Sequence, residues 1–157
     1  MRLTPLWIGP GRSRRPVDLG ASLALVVGGL LVLWSGGIHY HLWQSVGYKH
    51  LPTIGPLFLL QSIGAVVVGL LVIAVRRVWT ALLGIGFAVS TIAGFLISVA
   101  HGLFGFKDSW DAPFGKQAFT IEIAIIAVLS IAGALCLAGA SSAPSSTTRT
   151  NPVGTSA

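Results

Sequence analysis

Residues 54–104 read IGPLFLLQSIGAVVVGLLVIAVRRVWTALLGIGFAVSTIAGFLISVAHGLF, and Arg76 and Arg77 are the only Asp, Glu, Lys or Arg among them. Either side of that pair is a run long enough to cross a hydrocarbon layer of about 30 Å at about 1.5 Å per helical residue. Two spans joined by so short a link must run antiparallel and lie side by side. Each is continuously apolar and lacks the inside/outside alternation of a barrel strand. In a medium without water a helix satisfies its own backbone hydrogen bonds, so the stretch reads as a helical hairpin in a membrane.

Two further runs complete the pattern. Spans are expected at about 18–38, 54–75, 78–104 and 117–139, with connections of about 15, 2 and 12 residues. The fold class is therefore an all-α membrane protein, an antiparallel four-helix transmembrane bundle. The whole chain agrees: of 157 residues 54% are hydrophobic and 9% charged, where a soluble domain carries about 25% charged residues. Too few charges remain to cover a water-facing surface, which argues against an ordinary soluble enzyme. The formal charge of +6 is scattered between apolar runs, so it orients the chain in a membrane and forms no nucleic-acid-binding face.

Pro16 and Asp18 fit the start of the first span, Thr53 can cap the second, and Pro56 falls in its first turn, where a missing N–H is harmless. The first span exceeds a signal-peptide core, and the residues after it, Ser35 to His39, offer no cleavage pattern, so a retained helix is expected. Cys136 has no intramolecular partner and sits in an apolar run, where it acts as a small hydrophobe. Small residues recur within the spans: Gly28 and Gly29; Gly64 and Gly69; Gly84, Gly86, Ser90 and Gly94; Ala124, Ala127, Ser130 and Ala134. Those one turn apart, such as Ser90 with Gly94 and Ser130 with Ala134, are expected to pack the inside of the bundle.

Polarity follows from the cations. Arg2, Arg12, Arg14, Arg15, Arg76, Arg77 and Arg149 fall on one side; Lys49, Lys107 and Lys116 fall on the other. The positive-inside rule then makes both termini cytoplasmic in a plasma membrane. Trp79 fits the inner aromatic belt, and Trp43, Tyr48 and Trp110 the outer one. Residues 1–17 form a basic cytoplasmic segment whose Trp7 and Ile8 can rest on anionic lipid. Residues 140–157, rich in Ser, Thr, Pro and Gly, are expected to be a disordered cytoplasmic tail.

This orientation gathers His39, His41, His50 and His101 at the outer end, with Asp108 and Asp111 beside them. Glu122, the one carboxylate inside a span, enters from the same end; an intramembrane acid is a functional-site candidate. Its expected partners are His39 or His101. The four histidines are candidate ligands for Zn²⁺ or Cu²⁺, and two of them on different helices could hold a haem iron. His39 and His41 point about 200° apart on a continuous helix, so they converge only if the helix ends between them. With neither Cys nor Met on that side copper(I) is disfavoured, and without C-x-x-C-H covalent haem attachment is excluded. The competing reading is an interfacial belt of amphipathic side chains, with Glu122 in an interhelical hydrogen bond.

The block Gly37-Ile38-His39-Tyr40-His41-Leu42-Trp43, followed by Gly47-Tyr48-Lys49-His50-Leu51-Pro52-Thr53-Ile54-Gly55-Pro56-Leu57-Phe58-Leu59-Leu60-Gln61, resembles the first external loop of small, largely uncharacterised four-span membrane proteins common in actinobacteria. That resemblance implies a four-helix bacterial plasma-membrane protein and supplies no activity. Neither a nucleophile paired with a base nor a phosphate-binding loop is evident, so no enzyme is expected. The leading expectation is an accessory or scaffold membrane protein contacting lipid and a protein partner. The alternative is an extracytoplasmic metal- or haem-binding protein, and third a small transporter.

Overall fold

The computed structural model describes residues 16–141, with side chains described from 19 to 139. Among these residues four helices are long and apolar enough to cross a membrane: α1 (Pro16–Ser45), α2 (Ile54–Val75), α3 (Val78–His101) and α4 (Gly115–Ser141). A single 3-10 turn, Tyr48–His50, lies between α1 and α2. Residues 1–15 and 142–157, which hold most of the expected basic segment and tail, are outside the described residues.

Helix α1 is the axis of the bundle. It packs most extensively against α2 and α4, α3 leans mainly on α4, and the interface between the sequence neighbours α2 and α3 is thinner. Side chains meeting at the centre are small or branched: Leu25 and Val32 from α1, Ala65 and Val72 from α2, Ala81 and Ala88 from α3, Ile125 and Leu129 from α4. Large apolar residues such as Leu23, Leu60, Leu82 and Ile131 face outward, as a hydrocarbon solvent permits.

Lipid tails are as apolar as leucine, so helices associate through close packing rather than through a hydrophobic drive. The contact between α1 and α2 shows this. A Cβ added to Gly29 would lie 2.9 Å from the Gly69 carbonyl oxygen, and one added to Gly69 would lie 2.9 Å from the Gly29 carbonyl oxygen. Two turns toward the loop end, the Ser62 hydroxyl donates to the Gly36 carbonyl at 2.9 Å.

Of the small residues expected to do this packing, Gly29 and Gly69 do it, while the pairs Ser90 with Gly94 and Ser130 with Ala134 do not. Ser90, Ser130 and Ala134 are exposed, and a Cβ at Gly94 would meet nothing within 4 Å. The Ser90 hydroxyl instead donates to its own helix at the Phe87 carbonyl, 2.7 Å away, the local bond that makes serine tolerable in hydrocarbon.

Helix ends also differ from the hydropathy boundaries. The first helix runs on to Ser45, because the buried sequence Val32, Ser35, Ile38, His39 and Leu42 keeps a helical period beyond the apolar run. The third stops at His101, since Gly102 adopts φ 81° and turns the chain. The fourth begins at Gly115 and ends at Ser141. At the other end of the bundle Arg76 adopts φ 51°, and its Nε donates to the Ile73 carbonyl at 2.8 Å, closing the C-terminus of α2. Thr80 ties the start of α3 by donating to the Arg77 carbonyl at 2.7 Å. Thr53 flanks α2, but its side chain makes no capping bond.

Candidate functional site: a carboxylate-lined cavity at the loop end

A cavity of about 160 Å³ lies between the helices at the end opposite the Arg76–Arg77 turn. Two polar side chains, His39 of α1 and Glu122 of α4, line its floor, and Ser35 of α1 is bonded to both. Glu122 is 1% exposed, and one of its oxygens accepts a hydrogen bond from the Ser35 hydroxyl. Ser35 is followed one helical turn later by His39, whose Nδ1 donates to the Ser35 carbonyl at 2.9 Å. The other carboxylate oxygen, Oε2, is buried and has no hydrogen-bond partner. Both Glu122 and His39 line the cavity.

The walls are aromatic. Phe58 from α2 packs against the His39 ring at 5.4 Å and stacks on Tyr48 at 4.7 Å; Tyr48 in turn meets the edge of Phe106 at 5.6 Å. On the opposite side Phe95, Phe119 and Trp110 form a second cluster, with Phe95 and Trp110 5.0 Å apart. The Gln61 side-chain amide donates to the Thr91 hydroxyl, which itself donates to the Phe87 carbonyl at 3.0 Å, so one polar bridge crosses the thin α2–α3 seam beside the cavity.

Loop 102–114 closes the top. Leu103 and Phe106 exchange two backbone hydrogen bonds, and the Asp108 amide donates to the Ser98 hydroxyl at 3.2 Å. That places the Asp108 carboxyl at the cavity rim. Partial burial raises its pKa above the ordinary aspartate value, against the opposing pull of the Ser109 N–H, and raises that of Tyr48 with help from the Asp108 charge. Because the folded chain favours protonated Asp108, its stabilising contribution is complete below about pH 4 and fades as pH rises through the raised value. Asp108→Asn, which keeps the oxygen facing Ser109, should therefore raise the melting temperature at pH 7 and leave it unchanged near pH 3.5. Thermal unfolding of both proteins at the two pH values checks this.

The four histidines share an end of the bundle without converging. His39 is buried against the cavity. Because α1 continues through both, His41 emerges on another face, exposed, with its ring 5.2 Å from Phe114 and beside a shallow groove between α1 and α4. His50 is exposed in the 3-10 turn, and His101 is exposed at the end of α3. Neither lines the cavity. Among the described residues no three His, Cys, Asp or Glu side chains gather to hold a metal ion. The expected bond from Glu122 to a histidine is replaced by one to Ser35, with His39 joined to the same residue through its backbone.

Ser35, Gln61 and Thr91 were not singled out by sequence reasoning. A usable signal was present: Ser35 and His39 are one turn apart and so share a helix face, and Gln61 is the one side-chain amide in α2. Compared with family models, curated proteins and solved structures, the chain matches none.

Proposed function

We propose that the chain is a non-enzymatic accessory protein of the plasma membrane, with cytoplasmic termini, that holds a small ligand in the cavity beneath its outer loops. The observation that carries this reading is Glu122 Oε2, a buried acceptor with no partner, on a residue that lines the cavity. Buried polar atoms are almost always satisfied, so a group left open beside a cavity is the place for a ligand's donor. The chain's other polar groups there serve architecture. Ser35 joins α1 to α4, His39 bonds back to Ser35 within α1, Gln61 joins α2 to α3, and none forms a nucleophile-to-imidazole relay. The imbalance of seven cations against three supports the orientation, and with it access to the cavity from outside the cell.

Native mass spectrometry of the protein, extracted with its surrounding lipid from the membranes in which it is made, tests the reading. A one-to-one small-molecule adduct that Glu122→Gln loses is expected. Bare protein in every preparation would overturn it.

A further inference from the structure

We propose that the ligand is a small organic ammonium ion, with Glu122 as its counter-ion; this rests on the cavity reading above. The charge of the lining points one way. Two carboxylates, Glu122 and Asp108, border the cavity, and none of its lining residues is Lys or Arg. A carboxylate or phosphate would meet the Glu122 lone pairs with no cation to offset them. A neutral apolar molecule would leave Oε2 unpartnered. An ammonium brings both the missing charge and the missing N–H donor, and a charge-assisted bond of this type is stronger than a neutral one.

The walls agree with the floor. Phe58, Tyr48, Phe106, Phe95 and Phe119 all line the space, and aromatic faces carry the negative end of a quadrupole that attracts cations, more strongly where water is excluded. Such a wall accommodates the apolar body of an amine as readily as its head. Size narrows the class further. A cavity of about 150 Å³ in another protein accepts a benzene ring, so about 160 Å³ suits a single ring or a short branched chain bearing one amine. His39 is the one other ionisable side chain on the helical floor, and its Nδ1 is engaged with the Ser35 carbonyl.

Three probes of nearly equal size and different charge separate the possibilities: benzylammonium, benzyl alcohol and benzoate. Each is titrated calorimetrically into the full chain in lipid nanodiscs, with empty nanodiscs as the partition control. The expected result is saturable one-to-one binding of benzylammonium, at least about tenfold weaker binding of benzyl alcohol, and none of benzoate. In Glu122→Gln the preference of ammonium over alcohol should disappear. Because the comparison on the unaltered protein needs no variant, a folding defect in Glu122→Gln does not blunt the test. Equal affinity for alcohol and ammonium overturns the ammonium assignment while leaving the cavity as a ligand site. Binding of none of the three overturns the assignment and the cavity reading together.

Discussion

Gly69→Leu is expected to destabilise the bundle severely. The new Cβ would sit 2.9 Å from the Gly29 carbonyl oxygen and 2.8 Å from Leu33 Cγ. Leu33 can rotate away, but the carbonyl is part of the helix ladder and cannot. Relief requires α1 and α2 to separate, and α1 is the element on which both α2 and α4 depend. Overpacking a fitted interior costs about 1–3 kcal/mol and occasionally more. A clash with backbone belongs at the upper end, and about 3 kcal/mol is a large part of a marginal stability. Gly86→Leu is the matched control, because nothing lies within 4 Å of a Cβ at that position. Exchanging a helical glycine for leucine there should be neutral or stabilising by up to about 1 kcal/mol. The yield of monodisperse protein and its thermal unfolding in detergent measure both; a Gly69→Leu protein as stable as its parent would refute the α1–α2 geometry.

The second large effect is expected at Ser35. Ser35→Ala removes the one hydrogen bond that Glu122 accepts and leaves both oxygens of a buried carboxyl without a partner. Polar side-chain contacts between membrane helices average about 0.6 kcal/mol, because the separated helices find other partners. Stranding a buried polar group without any partner costs more, about 1–3 kcal/mol. With Glu122 1% exposed and fixed on a packed helix, the larger figure governs, and a loss of about 2 kcal/mol is expected. Glu122→Leu alone strands only a serine hydroxyl, which can turn back to its own helix, so its cost is smaller. The double variant should be more stable than Ser35→Ala, since removing both partners of a buried pair is far milder than removing one. Reversible unfolding of the four proteins in a double-mutant cycle gives the coupling directly. Simple additivity would mean that the two side chains do not act together.

Much of this architecture was legible in the residues because the bilayer leaves few choices. Four long apolar runs allow four helices, and a two-arginine link allows only an antiparallel pair. What hydropathy could not show was where helices end. The first continues through His39 and Leu42 because those side chains pack inward, against Phe58 and Tyr48, and the third ends where Gly102 takes a left-handed φ. Glu122 stood out as the lone acid in a span. The histidines share an end without converging for a geometric reason: an orientation rule assigns an end of the bundle but not azimuth, and, as their spacing implies, the 3.6-residue period of an unbroken α1 sends His39 and His41 to different faces. Ser35 escaped notice because a serine in an apolar helix ordinarily satisfies itself.

The position of α1 bears on how the molecule is made. It is the first of the four spans to be synthesised, yet it carries the largest buried share and is the least apolar of them. A large part of its packing, second only to that against α2, is against α4, the last of the four to emerge. A growing chain must therefore hold the Ser35 and His39 face of α1 against lipid, or against the insertion machinery, until Glu122 arrives. The bundle is closed by α4, and any chain cut short before residue 122 leaves the Ser35 hydroxyl without its interhelical acceptor.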